Sequence, residues 1–132
     1  MPRAPLPPEL ERFLAEARPA VVATLRADGS PSTAATWYEW AGGRALLPMD
    51  ARGLRIRNIR RDPRVALTVL GDDWYTHVSL LGRAVEVRDD PHLLDVDRLS
   101  MRYEGVPYNR RDHPSVSALV EVERWHTWGD PF

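Results

Sequence analysis

The sequence contains no cysteine, so disulfides, thiol nucleophiles and cysteine-ligated metals are excluded. It contains no lysine either, and all 18 basic residues are arginine. Arginine at any one position therefore cannot be read as a choice over lysine, although a planar guanidinium fork and a compact ammonium differ chemically. No run of about 18 apolar residues occurs, and the opening Met1-Pro2-Arg3-Ala4-Pro5-Leu6-Pro7-Pro8 shows neither an apolar stretch nor a cleavage pattern. A cytoplasmic protein with no membrane partner is the expectation. The Gly-x-Ser-x-Gly elbow, the phosphate-binding P-loop and the Gly-x-Gly-x-x-Gly fingerprint are all missing, which leaves acyl transfer, nucleotide hydrolysis and a Rossmann cofactor site without support. The four histidines, at positions 77, 92, 113 and 126, lack the spacing of a zinc protease, so no metal site is expected. An enzyme with this inventory would draw its reactivity from a cofactor and not from a catalytic side chain.

What is present is an arginine-dense stretch around which the chain is organised. Six arginines lie between positions 52 and 64, and with Asp50 and Asp62 they give this segment a formal charge of +4. The whole chain carries only −1, which leaves −5 for the remainder. The local pattern reads as strand, cap, helix, turn and strand. Ala45-Leu46-Leu47 is extended, Asp50 is a good helix cap, and Asp62-Pro63 ends the helix before Val65-Ala66-Leu67-Thr68-Val69-Leu70. Arg52 would then sit in the first helical turn and Arg55 one turn later on the same side. Cations are disfavoured there, because a helix start already presents unpaired N–H groups and the positive end of the macrodipole. A bound anion removes the conflict, since the N–H groups and the guanidinium groups would both point at it. The alternative is a solvated basic helix whose arginines pair with scattered carboxylates.

The 132 residues suffice for one domain with a real core, residues 1–8 forming an N-terminal arm. A first helix is expected from Pro8 to about Ala17, with Leu10, Phe13, Leu14 and Ala17 on one stripe. Ala20-Val21-Val22-Ala23-Thr24-Leu25 reads as a strand covered on both faces, and Pro31 to Trp40 as the second strand. A long strand begins at Trp74, and its alternation changes phase between Val78/Leu80 and Val85/Val87, which suggests a bulge at Gly82. Asp89-Asp90-Pro91 starts a helix, with the proline in its first turn and Leu93, Val96 and Tyr103 able to share a face before Gly105 ends it. Val116, Ala118, Val120 and Val122 form the core face of the last strand. The sum is six strands and three helices. Trp37 and Trp40 have opposite parity on one strand, so one of them needs a burial partner beyond the core.

Several blocks in order resemble the pyridoxamine-phosphate-oxidase-like split-barrel superfamily, and within it the actinobacterial branch that binds the deazaflavin coenzyme F420. They are Val22-Ala23-Thr24-Leu25 with Asp28-Gly29-Ser30-Pro31, the block from Arg55-Ile56-Arg57-Asn58-Ile59-Arg60-Arg61-Asp62-Pro63-Arg64 to Leu67, Gly82-Arg83-Ala84, Asp97-Arg98-Leu99 to Gly105, and Val122-Glu123-Arg124 to Trp128-Gly129. The resemblance implies a mainly β (α+β) fold, a six-stranded antiparallel split β-barrel with a few short helices, that forms a homodimer with cofactor sites between the subunits. It implies Arg55 as the phosphate-binding residue, Arg52 in place of a basic residue usual at position 53, Pro48 and Met49 beside the cofactor's ring and linker, and Trp74 near the ring. Arg57 and Asn58 complete the implied cofactor-binding set. The implied activity is hydride transfer between F420 and a small unsaturated organic substrate. An FMN-dependent oxidase or reductase and a non-enzymatic flavin- or haem-binding protein remain alternatives. A nucleic-acid partner is disfavoured by a sequence pI of about 6.4.

Overall fold

A computed structural model of the chain describes residues 1–131. Within them lie three helices, α1 (Pro8–Ala15), α2 (Leu54–Arg61) and α3 (Leu94–Glu104). Seven strands accompany them: β1 (Ala20–Leu25), β2 (Pro31–Thr36), β3 (Glu39–Ala41), β4 (Arg44–Asp50), β5 (Arg64–Leu70), β6 (His77–Asp89) and β7 (Ser115–Trp128). They form one antiparallel sheet in the order β2-β1-β5-β6-β7-β4-β3. The expected six strands are therefore seven, because the segment read as one strand from Pro31 to Trp40 breaks at Trp37-Tyr38. Its two halves end on opposite edges of the sheet. The barrel is not closed, since β2 and β3 do not pair. Yet β2 ends at Thr36 and β3 begins at Glu39, so chain reach holds these edge strands within about 10 Å of each other and the sheet must curl.

Tyr38 stands at this seam and is fully buried. Its hydroxyl lies 2.8 Å from the Leu14 carbonyl and 3.0 Å from that of Glu16, giving its proton to the end of α1. Burial pushes its pKa well above the usual phenol range. Leu10, Phe13 and Leu14 of α1 pack into the core beneath it, whereas Ala17 lies beyond the helix, which stops at Ala15. The inner faces of β5 (Val65, Leu67, Val69) and β7 (Val116, Ala118, Val120, Val122) complete the core, the latter as the alternation predicts. β1 departs from expectation. Ala20, Val22 and Thr24 are buried, but Val21 is 37% exposed, so only one of its two apolar faces is covered within this chain.

The long strand starts at His77 and not at Trp74, because the Asp73 carboxylate accepts the N–H groups of Tyr75 and Thr76 and holds that segment in a turn. Its phase change comes from Val85, the extra residue on β6 between Ala84 and Glu86. The irregularity at Leu81/Gly82, where the sequence suggested the reset, has its extra residue, Glu123, on β7 and leaves Val78, Leu80 and Gly82 buried in one phase. Glycine at 82 answers a close approach, since a Cβ there would lie 2.1 Å from the Glu121 carbonyl oxygen. At α3, Asp89 still belongs to β6 and Pro91 to a turn, so the proline is outside the helix. Asp90 nevertheless caps it, accepting the N–H groups of Leu94 (2.9 Å), Asp95 (3.0 Å) and Val96 (3.3 Å). The N-terminal arm is docked along β7, where Ala4 donates to the Glu123 carbonyl and Trp125 to that of Pro2. Among the described residues no helix is long and apolar enough to cross a membrane.

Candidate functional site

The start of α2 differs from its expected form in a way that opens it. Gly53, not Asp50, is the N-cap, and having no side chain it makes no capping hydrogen bond. No acidic residue occupies the first turn. Asp50 ends β4, and its carboxylate accepts the backbone N–H of Arg52 at 2.9 Å and the Arg52 guanidinium at 3.3 Å. The Arg52 hydrogen bonds hold the Asp50 pKa down at about 2, so the pair is formed between two full charges. Arg52 thus precedes the helix and is turned toward Asp50 and His113, not toward the helix axis.

Among the described residues Arg55, Arg57, Arg60 and Arg61 form no ion pair with a carboxylate, and of these Arg55 alone is half-buried and borders a cleft at the helix start. It lies in the first turn, half-buried, and among the described residues its one hydrogen bond is donated to the Thr36 hydroxyl at 3.2 Å. Among the described residues no carboxylate comes within ion-pair distance of it. Burial lowers its pKa, the sign expected of a cation removed from water without a counter-charge. Arg57 is exposed and donates to the Arg52 carbonyl at 3.4 Å. Asn58 is fully buried; its amide donates to the Thr24 hydroxyl at 3.1 Å and accepts from Arg61 at 2.8 Å. These bonds tie α2 to β1, so Asn58 positions the helix that carries Arg55.

Two clefts meet at this helix start. The smaller, about 320 Å³, is bordered by Arg55, Gly53 and the hydroxyl-bearing Thr24, Ser32 and Thr33 of β1 and β2. A guanidinium, several hydroxyls and an uncapped helix start form a donor set suited to phosphate. The larger cleft, about 540 Å³, is predominantly apolar, with Pro48, Met49, Trp37, Val96, Tyr103 and Tyr108 on its walls. Trp37 stacks on Tyr103 with ring centroids 5.4 Å apart and meets Tyr108 edge-on at 6.2 Å. Met49 and Asp50 border both clefts, so an anionic group in one could be continuous with a planar group in the other.

The structure therefore gathers Pro48, Met49 and Arg55 around adjoining clefts, with Arg52 and Arg57 at the rim and Asn58 beneath. Trp74 is placed elsewhere. It is 68% exposed in the β5–β6 turn, tilted against Tyr75 at 4.4 Å, and borders neither cleft of the single chain. Trp37 lies outside any strand, so the parity argument for it and Trp40 does not apply; Trp40 instead packs on the core. Tyr108 and His113, both at the larger cleft, were not singled out from the sequence. The available signal was an aromatic and a histidine in a proline-bracketed segment, the kind of loop that often carries function.

Residues 6–129 match the family model described as "Pyridoxamine 5'-phosphate oxidase". Among solved structures, one titled "F420 Reductase" superposes with a TM-score of 0.83 at 25% identity, covering 92% of this chain and 98% of that one. A conserved hypothetical protein from Mycobacterium tuberculosis gives 0.73 at 27% identity, covering 96% of this chain and 86% of that one. HupZ from Group A Streptococcus gives 0.66 at 17% identity over 93% of this chain and 94% of that one, a likeness of fold alone. No curated protein matches in sequence.

Proposed function

Because this chain belongs to the pyridoxamine 5′-phosphate oxidase family, a group of flavin- and F420-type oxidoreductases, we propose that it transfers a hydride between coenzyme F420 and a small unsaturated organic substrate. The observation that carries this reading is Arg55, a half-buried guanidinium without a carboxylate partner among the described residues, beside a hydroxyl-rich cleft that adjoins an apolar one. Bound F420 supplies the hydride chemistry that the side chains lack. Arg55 would hold a cofactor phosphate, with Ser32, Thr33 and the open N–H groups of α2 as further donors. Pro48 and Met49 offer an apolar surface for the ring. Trp37 and Tyr108 would hold a planar substrate and keep water from the reacting atoms. Asp50, an anion at the junction of the clefts, is neutralised by Arg52, which keeps its charge from opposing a bound phosphate.

The working unit in this reading is a homodimer. Val21 and Leu81 are exposed on the outer sheet face, beside a groove of about 510 Å³ lined by β1, β5 and β6, and a second copy would cover these apolar residues. Sedimentation should show a dimer at micromolar concentration, with or without cofactor; a 15.0 kDa species would refute it. The cofactor is tested by fluorescence titration, in which F420 should bind more tightly than FMN. Equal or reversed affinities would favour an FMN oxidase or reductase on the same fold. Binding without turnover of any electron acceptor would indicate a carrier.

A further inference from the structure

One wall of the larger cleft is fastened differently from the rest of the fold. Residues 106–114 link α3 to β7, and of these only Tyr108 and His113 are half-buried; the others are exposed. Both line the cleft, with the Tyr108 ring against the edge of Trp37 and the His113 ring beside Asp50. The segment therefore borders the cleft from the Trp37 side to the Asp50 side.

Its two ends are pinned through the backbone. At one, Gly105 caps α3 in the left-handed region (φ 76°) and donates to the carbonyls of Ser100 and Met101, each at 3.1 Å. At the other, the Pro114 carbonyl accepts the N–H of Ala51 and the Ser115 carbonyl that of Asp90, both at 2.9 Å. Between these ends, among the described residues, no hydrogen bond from backbone to backbone involves residues 106–113. Side chains hold that stretch instead. The Ser100 hydroxyl donates to the Val106 carbonyl at 2.6 Å, and His113 meets Asp50 and Arg52. The central fastening is Asp97 of α3. Its Oδ1 accepts the Tyr108 N–H at 3.0 Å and Arg111 Nη1 at 2.8 Å, and its Oδ2 accepts Arg111 Nη2 at 3.0 Å. Arg111 Nη1 also donates to the Tyr108 carbonyl at 3.0 Å, so one carboxylate gathers both backbone groups of Tyr108, directly and through Arg111. The Arg111 hydrogen bonds hold the Asp97 carboxyl below the usual carboxylate range, which makes the clamp a contact between full charges at neutral pH. An exposed stretch held by a few side chains opens at low cost while the elements at its ends stay folded.

We propose that residues 106–113 form a strap over the larger cleft and that Asp97 is its latch, whose release lifts Tyr108 from the edge of Trp37 and lets a ligand pass. The same clamp forms over the empty and the filled cleft, so the latch governs the rate of passage and not the affinity. No strap residue borders the smaller cleft, and the device gates the apolar cleft alone. It acts on whatever apolar ligand that cleft takes and stands apart from the F420 reading.

The test uses the full chain. In hydrogen exchange followed by NMR, the Tyr108 amide of Asp97→Ala should exchange roughly 5- to 30-fold faster than in the parent, while amides of β6 and β7 keep parental protection. The ligand probe is 1-anilinonaphthalene-8-sulfonate, with its place in the larger cleft read from the Trp37 indole and Met49 methyl signals. In stopped-flow fluorescence, its association and dissociation should both speed up in D97A by a similar factor, with Kd close to parental. The chain has no cysteine of its own, so Asp97→Cys/Arg111→Cys can be joined by a short bifunctional thiol reagent, and both rates should then fall below parental. Should D97A fail to fold, Arg111→Gln removes the clamp from its exposed side and carries the same expectations. Parental exchange at Tyr108 in the variant would overturn the latch. Cross-linking that leaves both rates unchanged would overturn the gate, as would a loss of affinity carried by dissociation alone, which marks Tyr108 as a wall contact only. A probe that moves neither the Trp37 nor the Met49 signal in any variant also sinks the proposal. None of these readouts uses F420, so they decide the latch whether or not the functional reading holds.

Discussion

Replacing Arg55 by alanine tests the assignment at the point where the electrostatics of this helix are least balanced. The guanidinium is half-buried, makes one hydrogen bond, to the Thr36 hydroxyl at 3.2 Å, and has no carboxylate beside it among the described residues. Burial without a counter-charge is unfavourable, so the side chain contributes little to the stability of the free protein. Its favourable interaction would be realised when an anion arrives. A charge-assisted hydrogen bond to phosphate is worth about 1.5 to 3 kcal/mol, so Arg55→Ala should weaken F420 binding by roughly 10- to 150-fold. The unfolding midpoint should stay at the parental value or rise. Fluorescence titration reads the first quantity and a thermal melt the second. Arg55→Lys should retain much of the affinity as a point charge, though not a bidentate contact. Arg64→Ala is the control, because Arg64 lies beyond the far end of α2 and is paired with Asp62 at 2.8 Å. Parental affinity in Arg55→Ala would place the anion elsewhere. An unfolded variant would show instead that the side chain belongs to a structural network.

Gly82→Ala should destabilise the fold by about 1 to 3 kcal/mol or prevent folding, because the new Cβ would lie 2.1 Å from the Glu121 carbonyl oxygen; a parental urea midpoint would refute the close packing of β6 on β7. Asp50 and Asp62 have folded-state pKa values lowered to about 2 by hydrogen bonds from Arg52 and Arg64. Stability from a depressed carboxylate is present above its unfolded value and lost as pH falls through the folded one, so the melting temperature should decline between about pH 4 and pH 2. Asp50 is exposed and Asp62 partly exposed, so the effect of each is small and should shrink further in salt. An Asp50→Asn/Asp62→Asn variant should show a flatter acid limb, and an unchanged limb would refute the two pairs.

Local pattern and composition were enough for much of this protein. The stripe of Leu10, Phe13 and Leu14, the alternation of Val116, Ala118, Val120 and Val122, and the stop at Asp62-Pro63 depend on residues within one turn or one strand, so they can be read along the chain. The concentration of arginine around α2 was likewise visible, and so was the conflict between those cations and a helix start. Which arginine is half-buried beside a cleft without a carboxylate partner among the described residues was not visible, because that depends on where carboxylates and cleft walls fall in space. Asp50 turned out to serve Arg52 instead of capping the helix, and Arg55 was left facing Thr36, which is 19 residues away at the end of β2. The break at Trp37-Tyr38 has the same character. Its residues have strand propensity, and only the need to bury Tyr38 under the end of α1 while passing from one edge of the sheet to the other interrupts the strand. The meeting of His113 with Asp50 across 63 positions was also decided by the tertiary structure. Sequence carries short-range periodicity directly, whereas ion pairing and cleft formation depend on which distant segments the sheet order makes neighbours.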